Sequence, residues 1–367
     1  MKKAAAFLIF STLFSPLWSQ NEKYRLLIGT YTNTGKSEGI YSYGVDIANG
    51  QFIQKSVAKE VKNPSYLAFS PDKKFVYSVN ETPDGSAARS FKFDKKNAKL
   101  TPLNASLTKS GGPCYILATE KHVFTANYGG GSLSVFGRRA DGSLTDALQV
   151  IQHTGGSINK QRQNEPHVHQ VIISPDKKYI VATDLGTDNV TVYIYNPNDA
   201  NDILIPFDTL KVKLGSGPRH ASFSKNGKKL YLVQELAAKV SVLGMNAGKL
   251  TLIQEKTLVK KNDIVNGAAD IHLSPDEKFL YATNRGTAND ITCFAVAKDG
   301  KLTYVQQVST GGNGPRNFAI TPDGNYLLVG NQKSDNIVVF KRNKKSGELT
   351  DTGKRIDVGA PVCLIFY

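Results

Sequence analysis

Three arginines, a glutamate and a histidine stand at matched places in this chain, and together they define the chemistry it can carry. Counting back five residues from each Ser or Thr of a recurring Ser-Pro-Asp-like turn aligns Ser65, His169, Arg219, Ala269 and Arg316. His167 falls on the same face of an extended strand as His169, because side chains alternate along a strand. A second aligned set follows the last residue of a recurring Tyr/Val/Leu-rich stretch: Glu81, Tyr128, Leu185, Glu235, Arg285 and Gln332. Arginines that converge on a cavity favour a carboxylate or phosphate, which they bond in bidentate fashion. A histidine beside them is pushed toward its neutral form and can take a proton from water. Arginine can also stabilise the oxyanion formed when water attacks an ester carbonyl. Glu235 would orient the histidine or an arginine, or act as a second acid/base.

Blander readings compete with each assignment. Arg219 and Arg285 can pair with Glu235 and Asp184 as structural bridges, and His169 can be a core histidine bonded to a backbone carbonyl. His220 and His272 are out of phase with His169 and read as structural. Asp184, Asn80, Asn127, Asn284 and Asn331 recur from unit to unit and are expected to tie turns together. No Gly-x-Ser-x-Gly elbow is present, which disfavours a covalent serine mechanism. Apart from the His167/His169 pair, no histidines have metal-ligand spacing, so neither a metal nor another cofactor is expected.

The elements that must position these residues come from a unit of about fifty residues that recurs along the chain. Asn63-Pro64-Ser65, Gly217-Pro218-Arg219 and Gly314-Pro315-Arg316 open three of the units. Each unit runs through a short apolar stretch, a turn such as Ser70-Pro71-Asp72, and a second stretch such as Leu280-Tyr281-Ala282-Thr283-Asn284. A third stretch such as Asn336-Ile337-Val338-Val339-Phe340 follows, then a tip of the form Gly-x-Leu-Thr. Short strands separated by such turns form hairpins, and four antiparallel strands make a propeller blade. Starts at Pro64, Pro113, Pro166, Pro218, Ala268, Pro315 and Pro361 predict seven blades. The last start has room for one strand only, and Arg25–Thr30 and Gly39–Tyr43 supply strands at the other end. The chain therefore reads as all-β, a seven-bladed propeller closed by pairing N- and C-terminal strands within one blade.

Met1-Lys2-Lys3 followed by an apolar run to Trp18 reads as a secretory signal peptide over 1–19, too short to span a membrane. A single propeller domain is expected over 20–367, in the periplasm or outside the cell, with no membrane anchor. Cys114, Cys293 and Cys363 form an odd set without a Cys-x-x-Cys, which argues for buried free thiols. The net charge of +15 is carried largely by lysines at turn tips such as Lys73-Lys74 and Lys177-Lys178. No basic stripe interleaved with aromatics points to nucleic acid, whereas a general attraction for small anions follows from the charge.

Pro166-His167-Val168-His169, Gly217-Pro218-Arg219-His220, Tyr231 to Leu236, Asn284-Arg285-Gly286, Gly314-Pro315-Arg316 and Asn331 to Asp335 fit one family. The chain resembles the seven-bladed propeller lactonases, which include propeller-type bacterial 6-phosphogluconolactonase and the fungal carboxymuconate lactonising enzymes. The resemblance runs over roughly 24–367. It implies a His, an Arg, a Glu and a second Arg at the cavity, falling on His169 (or His167), Arg219, Glu235 and Arg285. His167, Arg316, Glu81, Tyr128 and Gln332 are expected around a small anionic lactone or sugar acid. Lactone hydrolysis leads. A carboxymuconate-type cycloisomerase and a non-catalytic periplasmic binding propeller are the alternatives, and nothing in the sequence sets an oligomeric state.

Overall fold

The computed structural model describes residues 22–59, 61–259 and 265–367, so the leader expected over 1–19 lies outside the described residues. Among the described residues, twenty-eight strands, β1 to β28, form seven four-stranded antiparallel sheets. Six blades are continuous in sequence. The seventh has the order β28 (Pro361–Phe366), β1 (Tyr24–Thr30), β2 (Gly39–Asp46), β3 (Gln51–Lys59). Its innermost strand is the C-terminal one, paired antiparallel to β1 with Leu27 opposite Ile365 and Ile28 opposite Leu364. The predicted closure is thus observed.

The innermost strands are β4 (Leu67–Phe69), β8 (Pro113–Ala118), β12 (Val168–Ile173), β16 (Pro218–Phe223), β20 (Ala268–Leu273), β24 (Pro315–Ile320) and β28. Each touches the next around a circle, with β28 in contact with β4. The core lies between blades. In one such layer Phe124, Ala126, Leu133 and Val135 of the second blade pack on Val171, Ile180, Ala182 and Tyr193 of the third. Burying each such large apolar side chain is worth about 1.5–3 kcal/mol.

Three polar contacts repeat between neighbouring blades and fix their spacing. A buried tyrosine donates its hydroxyl to the glycine carbonyl at the next blade's tip, as in Tyr77 to Gly142 (3.0 Å), Tyr231 to Gly300 (3.1 Å) and Tyr281 to Gly347 (2.7 Å). An outer-strand glutamine bonds a leucine backbone on the next blade at both its N–H and its carbonyl, seen for Gln149 with Leu204 and Gln254 with Leu302. Turn carboxamides and carboxylates accept the N–H that leads into the next inner strand, from Asp188 to Gly217, Asn289 to Gly314 and Asp335 to Ala360.

The third blade departs from the expected start. Val168 faces Asp184 as Pro218 faces Gln234 and Pro315 faces Asn331. Pro166 therefore lies two residues ahead of the true start, and His167 occupies the place that glycine takes in Gly217-Pro218. Cys114, Cys293 and Cys363 are buried free thiols.

Because β1 is covered on its inner side by β28, deleting residues 361–367 leaves the inner edge of β1 unpaired and uncovers the buried Leu27 and Ile28, which pack with Cys363 and Leu364. The truncated chain is expected to aggregate and to lose the cooperative thermal transition in circular dichroism. An unchanged melting curve would contradict closure as the source of stability.

Candidate functional site

The two aligned sets of residues meet at one rim because the end of each second strand is hydrogen-bonded to the start of its inner strand. The backbone N–H of Glu81 donates to Asn63 O, Tyr128 to Gly112, Leu185 to His167, Glu235 to Gly217, Arg285 to Gly267 and Gln332 to Gly314, at 2.7–3.2 Å. Gly217 and Gly314 adopt φ of 66° and 74° at this crossing. A Cβ on Gly217 would lie 2.7 Å from Leu236 Cγ, which explains the glycine of Gly-Pro-Arg.

Glu235 is the electrostatic centre. Its Oε2 accepts Arg219 Nε (2.9 Å) and Arg285 Nη2 (2.9 Å), and its Oε1 accepts Arg162 Nη2 (2.8 Å). Burial alone would favour a neutral acid, but Arg285, Arg219 and Arg162 outweigh it and hold the carboxyl down at about 2. Glu235 is therefore an anion throughout the physiological range and serves as an anchor rather than a proton carrier. Arg219 is only 1% exposed. It spends Nη1 on the carbonyl of Ala269 (2.5 Å) and lies beneath the cavity wall. Burial, followed by repulsion from Arg285, brings its pKa down to about 10. Arg285 is more open, with Nε on the carbonyl of Gly267 (2.8 Å). Both arginines thus bridge to Glu235, while Asp184 takes His153 (2.8 Å) and the N–H groups of His167, Gly186 and Thr187 instead.

His169 sits in the wall beside this cluster. Its Nδ1 is 3.8 Å from Cys114 Sγ, and Cys114 also reaches the His169 carbonyl at 3.3 Å. Burial, then the charges of Arg219, Arg316 and Arg285 together with His220, drive its pKa well below 6.5, so the ring is neutral. Among the described residues no hydrogen bond engages its Nε2. Tyr128 presents an edge-to-face contact to His169 (5.5 Å) and a stacked one to His167 (4.3 Å). His167 lies just outside β12, and its Nδ1 is engaged by the carbonyl of Tyr128 (2.9 Å), which uses one ring nitrogen structurally.

On the opposite wall, Glu81 accepts the hydroxyls of Tyr31 (2.8 Å) and Ser65 through Oε2. Arg316 lies with its guanidinium carbon 5.2 Å from the centre of the Tyr31 ring. Burial works against its charge, but Tyr31 and Glu81 preserve it. Among the described residues Arg316 forms no ion pair, unlike Arg162, Arg219 and Arg285. Gln332 is half-buried at the rim, with its backbone N–H bonded to Gly314 and its side chain outside the Glu235 network. Four guanidinium groups against two carboxylates leave this cavity positive, and no three metal-ligating side chains cluster among the described residues.

Three participants escape the alignment. Tyr31 follows Thr30 at the end of β1, and its N–H donates to Ala360 (3.2 Å) as Glu81 does to Asn63. It is the closing blade's member of the second set, and extending the count across the chain termini would have found it. Cys114, after Pro113, is likewise the second blade's member of the first set. Arg162 obeys no repeat. It comes from the excursion between the outer strand of the second blade and β12, is 42% exposed, and also reaches Tyr128 Oη at 3.3 Å.

A family model described as lactonase, seven-bladed β-propeller, matches residues 25–366. The 6-phosphogluconolactonase of Bacillus subtilis (strain 168) is 34% identical over 94% of this chain and 98% of its own. Among solved structures, a protein of Bacteroides fragilis NCTC 9343 superposes with a TM-score of 0.91 at 42% identity, covering 95% of this chain and 99% of its own. The periplasmic gluconolactonase of Pseudomonas aeruginosa superposes with a TM-score of 0.88 at 38% identity, covering 94% and 98%.

Replacing Glu235 by Ala strips the counter-ion from the buried Arg219 and the partly buried Arg285 and is expected to cost about 3–5 kcal/mol in urea denaturation at pH 7. A loss below about 1 kcal/mol would mean the pairs behave as exposed ones. The folded carboxyl titrates at about 2 against an ordinary 4.5, so its contribution is complete above about pH 4.5 and disappears as pH falls toward 2. Glu235→Gln should flatten the acid side of the stability curve over that window.

Proposed function

Because this chain belongs to the seven-bladed β-propeller lactonase family, we propose that it hydrolyses a sugar-acid lactone at the cavity formed by His169, Arg285, Arg316 and the Glu235 anchor. The observation that carries this reading is the pairing of a neutral, wall-mounted His169 with Arg316, whose charge is left uncompensated by any ion pair among the described residues. In the proposed reaction His169 Nε2 takes a proton from water as its oxygen bonds the lactone carbonyl carbon. Arg285 and Arg316 stabilise the resulting oxyanion, which collapses with cleavage of the bond to the ring oxygen. That oxygen leaves with the proton held by His169, and the product is the open hydroxy acid. Glu235 keeps Arg285 in place and Arg219 supports Glu235 from below. Glu81, Tyr128, His167 and Gln332 surround the sugar hydroxyls, with the Oε1 of Glu81 an available acceptor.

The named relatives divide between a phosphorylated and an unphosphorylated lactone. Excess positive charge in the cavity favours a substrate with an anionic group. Purified protein should therefore open 6-phosphoglucono-δ-lactone faster than glucono-δ-lactone after correction for spontaneous opening. No acceleration of either lactone would leave a binding propeller. His169→Ala is expected to lower kcat by about 10²–10⁴ with the fold retained, the usual contribution of a positioned base. Arg316→Ala should raise KM more for the phosphorylated substrate than for the other. Because His169 stays neutral well below pH 6.5, kcat/KM should pass through pH 6.5 without a break. An inflection there would assign the base elsewhere.

The reading includes export, with residues 1–19 as the leader and 20–367 as the mature propeller, supported by the periplasmic location in the name of the Pseudomonas aeruginosa relative. Recovery in the periplasmic fraction with Gln20 as the first residue is the expected result, and a cytoplasmic chain beginning at Met1 would refute it.

A further inference from the structure

The channel has a second mouth, at the end where the inner strands run into the Ser-Pro-Asp turns. A cavity of about 470 Å³ opens there, walled by Tyr66, Phe69, Phe318, Leu364 and Phe366, with His272 on its floor. The residues that follow the first aligned set form a layer between this cavity and the lactone site. Tyr66 stacks on Tyr115 at 4.0 Å, and both place His220 at their edges, 6.0 and 5.4 Å away.

Asp270 lies in that layer, 1% exposed. Its Oδ1 faces His220 Nδ1 (2.8 Å), and its Oδ2 accepts from Asn317 Nδ2 (2.6 Å) and faces His272 Nε2 (2.9 Å). His220 and His272 were expected to be structural. His220 fits, since it is buried, but the His272 side chain is 38% exposed to the second cavity. With its Nε2 hydrogen given to Asp270, the polar atom that His272 can offer is Nδ1, which no described residue engages. Burial disfavours the imidazolium, but the charge and hydrogen bond of Asp270 outweigh it and raise the pKa above 6.5. A protonated ring then offers Nδ1–H to an anion. Asn317 is spent, with Oδ1 taken by the N–H of Leu364 (2.7 Å). The rest of the wall is aromatic or aliphatic, including Phe318, which meets His272 edge to face at 4.8 Å. At the rim Lys73 Nζ lies 5.9 Å from the centre of the Phe69 ring. A ligand that fits this chemistry has one anionic group and a hydrocarbon body.

We propose that the second mouth is a separate binding site for a small apolar carboxylate, an aryl or short alkyl acid, with its carboxylate on His272 Nδ1 and its body between Phe69, Phe318 and Phe366. The size of the cavity falls in the range of small-molecule sites, which combine apolar walls with a few polar groups. The inference does not depend on the lactonase reading, because the layer of Tyr66, Tyr115, His220 and Asp270 separates the two cavities.

Isothermal titration of the full mature protein with phenylacetate, and with its neutral isostere phenylacetamide, tests this. Phenylacetate should bind saturably and at least about tenfold more tightly than the amide, the difference expected for a charge-assisted hydrogen bond. His272→Gln should erase that preference. Phe69→Ala, which leaves the Asp270 network intact, should weaken acid and amide alike and so guards against a folding defect in the first variant. Arg316→Ala, in the other cavity, should leave binding unchanged. Absence of saturable binding, equal affinity for acid and amide, or binding lost in Arg316→Ala but kept in His272→Gln would each overturn the proposal.

Discussion

Everything in this structure depends on the closure made where β28 slides in beside β1. A ring of blades has no free edge only when the circle is complete, and here the last blade is assembled from both ends of the chain. Once closed, the blades bury their apolar faces against one another, and seven inner strands are forced around a common axis. Side chains pointing at that axis are relieved of core packing. They come into mutual contact from residues far apart in sequence, which is why the axis collects the chemistry.

Gathering charges there has an electrostatic cost, since a guanidinium removed from water needs a partner. Glu235 meets that need for three arginines at once, drawn from the excursion before the third blade, from its own blade and from the next. The same arrangement leaves Arg316 outside the ion-pair network and keeps His169 neutral by surrounding it with positive charge. A positively charged cavity and a neutral histidine thus arise from one balance of charge, in which a buried carboxylate organises the arginines.

Much of this was legible in the residues. The recurrence of Ser-Pro-Asp turns set a frame in which His169, Arg219 and Arg316 aligned, and the ends of the second strands did the same for Glu235 and Arg285, because a repeat makes sequence offsets equivalent to positions in space. The blade starts slipped at Pro166, where a proline that resembled the others stands two residues early, as the pairing of Val168 with Asp184 shows. The frame stopped short at Tyr31, whose place in the second set depends on a blade formed across the termini. It had no means of reaching Arg162, since a residue on an excursion is placed by the surface it folds over rather than by the period.

The sequence by itself determined the blade type, the number of blades, their closure and which residues face the axis, because these follow from alternation along strands and from a fixed repeat. Tertiary structure alone decided the division of labour among those residues. Arg219 and Arg285 are the same residue type and both pair with Glu235, yet one is sealed beneath the wall and the other borders the cavity. His220 and His272 share one carboxylate, but only His272 meets solvent. Burial and partner count are set by distances between blades, and no local pattern of residues encodes them.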